Sequence, residues 1–358
     1  VIGSGLFYNC SSLTQVVFPD RVSNIDEVQY TMYGCASMTY LGLPNNSGAG
    51  DHVFKYNNVT GCSSLDTVKV PARELKLDCK DSEYQGTGYD DLYTGAARDI
   101  FSAENLGENS AFQDTYEVSD EFCIMGYSQS YAHTYTQKHG EAFGYLDPGY
   151  VGWYEKIVDG YAFRVDETNA LVNFEKIDET NDGSNVIIPD NIAKYHVGSI
   201  ASDTFQNNKE VEYLYIPASV SVIDAQAFKG CTSLRTVNFD SAHAVKEIGH
   251  EAFKTGVVLE DIDTDHDQIP DENLCFIGDI SAGCVPFNYA MDVSNNYNDP
   301  GAPTQYITYT SGFPQNLQIQ MVVSKNENTN EIEKAFPVVV GIPTEEQLKG
   351  NGSYSLST

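Results

Sequence analysis

Apolar and polar residues between Val197 and Phe239, VGSIASDTFQNNKEVEYLYIPASVSVIDAQAFKGCTSLRTVNF, form one phrase stated twice. Ile200 to Ile223, Phe205 to Phe228 and Leu214 to Val237 are each 23 residues apart. Within Leu234-Arg235-Thr236-Val237-Asn238-Phe239 the last residues alternate, which predicts a short strand with Val237 and Phe239 turned inward. Pro217 follows the equivalent Leu214-Tyr215-Ile216 and ends that strand by removing a backbone donor. Ile223 returns the chain to the core, and Ala227-Phe228 sets a ring on the opposite wall. Phe228-Lys229-Gly230-Cys231 then completes the coil. One such coil cannot close a core alone, so the pattern predicts a stack.

Three degenerate coils fill residues 1–71, carried by Phe7, Cys10, Leu13, Val16 and Phe18, by Met32, Cys35, Met38 and Leu41, and by Val59, Cys62, Leu65 and Val68. Residues 72–105 break the pattern and read as an insertion, with one short helix near 95–104. Leu106 to Thr115 restores the phrase. Ser130 to Tyr135 opens a helix with Gly140 as its C-cap. A polar-faced element of this kind at 122–147 suits a cap on the last coil. Asp147-Pro148-Gly149-Tyr150 marks a boundary. Tyr161–Asp166 and Ala170–Phe174 then flank a turn as a hairpin. A second run of coils follows through Phe205, Phe228 and Phe253. Ile277-Gly278 and Gly283-Cys284 close it weakly. Residues 286–358 carry no repeat, and strands are expected at 306–309, 317–323 and 336–340, as a cap or a small β-domain.

The combination of Phe, Cys and Pro at fixed offsets resembles the BspA-type leucine-rich repeats of bacterial surface proteins. That resemblance implies a strand-rich α/β-type repeat solenoid, right-handed, with short parallel strands. It would comprise two repeat segments (1–147, with the insertion and helical cap, and 148–285, with the opening hairpin) and an irregular or β-rich segment at 286–358. The closing segment at 122–147 and the hairpin are similar to elements that flank such repeats in the family. The resemblance also implies a bacterial, secreted or cell-surface protein. The sequons at Asn9, Asn45, Asn58 and Asn351 are then chance occurrences.

Composition narrows the function classes. Formal charge is −31, from 20 basic and 51 acidic residues among 358. A nucleic-acid partner is excluded, because that needs clustered Lys and Arg. No apolar run of about 18 residues occurs, so membrane insertion by a helix is not expected. Val1-Ile2-Gly3 enters in mid-phrase with no signal peptide, and the chain reads as a piece of something longer. Among eight cysteines, Cys10, Cys35, Cys62, Cys231 and Cys284 occupy the repeat's Cys position as a buried free ladder. Cys79, Cys123 and Cys275 lie off that register, where a disulfide is open.

Candidate chemistry is sparse. Asp263, Asp265, Asp267 and Asp271 have the alternation a calcium loop needs. Gln268 at the usual glycine and Leu274 at the twelfth place speak against it, and an acidic loop is the alternative reading. His133 and His139 are six apart on one helix and read as surface residues. No nucleophile elbow, phosphate loop or metalloprotease motif is present, so catalysis is not expected. What remains is the concave strand face, whose outward residues are Tyr40, Thr67, Lys69, Tyr213, Tyr215, Thr236, Asn238, Asp261 and Asp263. Curved repeat faces hold extended partners, and the two tyrosines suit a host or neighbouring-cell protein or glycan. A structural spacer, or an enzyme with its site at 72–105 or in the C-terminal region, are the rival readings.

Overall fold

The computed structural model describes residues 1–45, 53–77, 100–101, 105–106, 119, 121–178, 184–255, 274–280 and 283–295, and the strand backbones at 307–311, 318–325 and 332–340. In the first segment each predicted strand is three residues long with its middle residue buried. These are β1 (Gln15–Val17), β2 (Tyr40–Gly42) and β4 (Thr67–Lys69), with Val16, Leu41 and Val68 inward. On another wall of the coil β3 (Val53–Phe54) pairs with β5 (Lys76–Leu77) in parallel. β6 (Cys123–Gly126) and β7 (Ala142–Tyr145) extend the main ladder, linked by α1 (Tyr131–His139). The Ser130 hydroxyl accepts from the His133 amide at the N-cap, and Gly140 closes the helix at φ 75°, both as the sequence predicts.

The predicted hairpin forms as β9 (Tyr161–Asp166) and β10 (Ala170–Lys176), joined by β8 (Trp153–Val158) into an antiparallel meander. β8 escapes the sequence reading because Glu155 interrupts its apolar pattern. The second segment holds β11 (Asn185–Ile187), β12 (Asn191–Ile192), β13 (Tyr195–His196), β14 (Ser199–Ile200), β15 (Tyr213–Ile216), β16 (Val222–Ile223), β17 (Thr236–Phe239), β18 (Glu247–Ile248) and β19 (Leu274–Gly278). After it come α2 (Val285–Asn295), β20 (Ile307–Ser311), and the antiparallel pair β21 (Gln318–Lys325) and β22 (Ile332–Val340).

Two sheets carry the solenoid. One has eleven strands in the order β1-β2-β4-β6-β7-β8-β9-β10-β14-β16-β18, and the other five, β11-β15-β17-β19-β20. The repeat ladder therefore changes sheets. In the first segment the strands just before Pro19, Pro44 and Pro71 belong to the long sheet. In the second segment the equivalent β15 and β17 belong to the short sheet, and the long sheet continues as the opposite wall. The meander makes this exchange.

The core changes sides with it. Ile124, Phe143 and Tyr145 belong to the first core, together with Leu41 and Val68. Cys123 and Ala142, on the same two strands, belong to the second core, together with Leu171, Ile200 and Ile223. Neighbouring residues of a strand face opposite ways, so the first core lies beneath the long sheet and the second lies above it.

Stacking inside the coils follows the repeat. Phe174, Phe205, Phe228 and Phe253 form a ladder with centroid separations of 4.4, 4.9 and 4.8 Å. Tyr289 of α2 lies against Phe253, and its hydroxyl accepts that residue's amide at 3.1 Å. α2 was not anticipated in a region read as β-rich. Its Ala290 is buried, so a helix covers the end of the aromatic ladder. Cys35, Cys62 and Cys231 are buried, and their thiols donate to Phe7 O, Met32 O and Phe205 O of the preceding coil at 3.0 to 3.2 Å. Cys284 is buried as well. Cys10 departs from the expected ladder: it is exposed, because no described coil lies beyond the first. Cys123 is a buried free thiol, Cys275 is half-buried, and Cys79 lies outside the described residues.

Candidate functional site

The open face of the short sheet is built in two cross-strand rows. Register pairs Asn185 with Tyr213, Tyr213 with Thr236, and Thr236 with Cys275. The second row is Ile187, Tyr215, Asn238 and Ile277. Cys275 and Ile277 thus hold the ladder positions expected for Asp261 and Asp263, since the last coil is longer than the period allows for. The Asn238 amide donates to the Tyr213 hydroxyl at 2.8 Å, which fixes both side chains across neighbouring strands. Burial raises the Tyr213 pKa against the hydrogen bond from Asn238. Tyr215 is pushed up by burial, by its hydrogen bond to Asp240 and by the charges of Asp240 and Asp190. Both hydroxyls are therefore protonated at neutral pH. The result is a half-buried aromatic and amide surface edged by carboxylates, with Ile187 exposed at one side.

Tyr40, Thr67 and Lys69 lie on the long sheet instead. Of the nine residues expected on one concave face, the seven that are described therefore occupy two surfaces. Tyr40 sits across from Thr67, and the same row continues to Cys123 and Ala142. Lys69 neighbours Met125, whose row continues to Gly144 and Tyr154. A Cβ on Gly144 would meet Tyr154 at 3.2 Å and Met125 at 3.2 Å, so glycine is what lets these side chains close over the strand. Tyr195 packs on Tyr154 at 4.5 Å, and Lys194 stands 5.4 Å from the Tyr195 ring. The β12–β13 hairpin thus walls off the end of the first open face.

Behind that wall is a buried polar cluster that sequence reasoning missed. Glu155 on β8 is opposite Arg164 on β9. Its carboxylate accepts from Arg164 Nε at 2.6 Å and from the Tyr145 hydroxyl at 2.7 Å. His133 Nε2 lies 2.8 Å from the other carboxylate oxygen. The Gln129 amide points at His133 Nδ1, which places the ring proton on Nε2 as the donor. Burial alone would raise the Glu155 pKa. Hydrogen bonds from His133 and Tyr145 and the charge of Arg164 overcome it and hold the group at about 2. Arg164 also reaches Asn173 and Glu175. The expectation of surface histidines is corrected here: His133 is buried against Phe143, and His139 stacks on Tyr135. The available signal was an acid and a base, Glu155 in WYEKIV and Arg164 in YAFRVD, at positions that pair.

Asp263, Asp265, Asp267 and Asp271, the possible calcium ligands, lie outside the described residues, as does most of the 72–105 insertion. Among the described residues no group of three or more His, Cys, Asp or Glu converges as a metal site. No described helix is long and apolar enough to cross a membrane. A groove of 490 Å³ opens beside β1, lined chiefly by Ile2, Phe7, Leu13, Val16 and Val22. Asn58, one of the sequon asparagines, is buried and holds the Thr31 amide at 3.1 Å.

The pattern of the BspA type Leucine rich repeat region matches in six copies, over residues 1–77 and 184–280. Among solved structures the chain is similar to a leucine-rich repeat protein from Bacteroides capillosus, at 26% identity over 28% of this chain and 73% of that one, with a TM-score of 0.23. It is also similar to a leucine rich cell surface protein from Faecalibacterium prausnitzii, at 15% identity over 87% and 83%, TM-score 0.24. A leucine-rich repeat protein from Bacteroides ovatus is 13% identical over 72% and 69%, TM-score 0.20. No curated protein matches the chain.

Proposed function

Because residues 1–77 and 184–280 are BspA-type leucine-rich repeats, we propose that this chain is a non-catalytic binding protein displayed at a bacterial surface. It engages a protein or glycan of a host or neighbouring cell through its open strand faces. The observation that carries this reading is the Tyr213–Tyr215–Asn238 surface. Its side chains are half-buried and held by cross-strand bonding before any partner arrives, so binding orders little more. Aromatic rings that offer area with few rotatable bonds are the usual anchors of recognition.

The test is an array of matrix proteins and glycans probed with the wild-type chain and with a Tyr213→Ala, Tyr215→Ala variant. A saturable signal that the variant loses supports recognition by this face. A signal that the variant keeps moves recognition elsewhere. No binding up to about 50 μM, weaker than roughly −6 kcal/mol, would leave a structural spacer as the better account.

A further inference from the structure

The two open faces are parts of one stepped track. The first core lies beneath the long sheet, so Tyr40, Thr67 and Lys69 look upward from it. Cys123 and Ala142 look the same way, and there the second core is stacked on them. The short sheet lies on the far side of that second core. Val186, Leu214, Ile216 and Val237 point down into it, and Tyr213, Tyr215 and Asn238 point up. Both faces therefore look to the same side, one layer apart, a step of about 10 Å. From β4 to β14 along the long sheet is six strand spacings, roughly 30 Å. Tyr154, Tyr195 and Lys194 form the riser between the two levels.

The charge on this track is lopsided. Asp190 and Asp240 act on Tyr215 at the upper level, and Asp66 and Glu141 act on Cys123 at the foot of the riser. Lys69, Lys194 and Lys156, which shares the Tyr154 face of β8, stand on the same track as opposing cations, in a chain whose formal charge is −31. An ammonium or guanidinium above the Tyr215 ring would meet an aromatic face and two carboxylates together. An acidic glycan would meet the same carboxylates as repulsion.

Resting on the reading that this chain binds through its strand faces, we propose that its partner is a basic protein. An extended Lys- or Arg-bearing segment of that protein lies across both levels. Some nine extended residues are needed to bridge roughly 30 Å. A segment that reaches both faces gains from linking two weak contacts, and one that reaches a single face does not.

The experiment titrates labelled synthetic peptides with Lys or Arg at every second or third position among β-branched residues, one set of about twelve residues and one of about five. Uncharged homologues and neutral and acidic oligosaccharides are run beside them. Wild type is compared with Tyr215→Ala, Asp240→Asn and Tyr40→Ala, each checked for folding by circular dichroism. Long basic peptides should bind at least about tenfold more tightly than short ones, and variants on either face should lose most of that gain. Affinity that follows peptide charge alone, indifferent to all three variants, would overturn the proposal, as would equal affinity for long and short peptides. Binding of oligosaccharides or uncharged peptides that depends on Tyr215 would also overturn it while leaving the binding function intact. If no probe of any class binds, both readings fall.

Discussion

At the scale of single residues, the repeat is a set of backbone and side-chain demands that recur once per coil. The position before the repeat cysteine is left-handed in every described coil, with Asn9 at φ 55°, Gly34 at 72°, Gly61 at 75°, Gly230 at 76° and Gly283 at 96°, and so is Asn207 at 60°, where Asn208 stands in place of the cysteine. Glycine and asparagine are the residues that tolerate this conformation. Stacking adds a second demand, since a Cβ on Gly230 would collide with the Asn207 side chain of the coil before it, whereas one on Gly140 would meet nothing. Gly230→Ala should therefore cost at least about 2 kcal/mol, and Gly140→Ala about 1 kcal/mol, as read by urea unfolding. Equal losses would mean the coil spacing relaxes freely. The thiols offer a second contrast. Cys231→Ala removes a packed sulfur and strands Phe205 O, at about 1–2 kcal/mol. Cys10→Ala, at an exposed site, should stay within about 0.5 kcal/mol.

At the scale of elements, the meander and α1 decide how the two segments are joined. Glu155 is held by His133 from the helix, Tyr145 from β7 and Arg164 from β9, so one carboxylate ties three elements. Breaking such a buried pair from one side typically costs about 3–5 kcal/mol, because the partner charge is left uncompensated. Glu155→Gln should show a loss of that order in thermal or urea unfolding, and a loss below about 1 kcal/mol would mark the cluster as decorative. The pH dependence has a definite sign. A carboxylate depressed to about 2 in the fold stabilises fully above its unfolded value near 4.3, and the contribution drains as pH falls from there toward about 2. Wild-type stability measured across that window should fall more steeply than that of Glu155→Gln. Parallel curves for the two proteins would place the titrating groups elsewhere.

At the scale of the whole molecule, two cores share one eleven-stranded sheet. Coils touch only their neighbours, so stability is close to a sum of coil and interface contributions. Val237→Ala, in the middle of the second core, should cost about 2 kcal/mol locally. Hydrogen exchange followed by mass spectrometry should then show faster exchange over 184–255, with 1–45 and 53–77 unchanged. Uniform acceleration through both segments would show that the meander couples them into one cooperative unit.

Much of this architecture was legible in the chain itself. A 23-residue period with Phe, Cys and Pro at fixed offsets specifies a coil, because stacking repeats each local demand at the same spacing. Val237, Phe228, Cys231 and the Ser130 and Gly140 caps all stand where that pattern puts them. What the period cannot encode is which wall of one segment joins which wall of the next. That depends on the register of the β7–β8–β9–β10 meander, where Glu155 and Arg164 look like surface charges until the strands pair them. One strand face read from sequence thus became two levels of a step, since the side of a sheet that holds the core is a property of packing, not of any one strand.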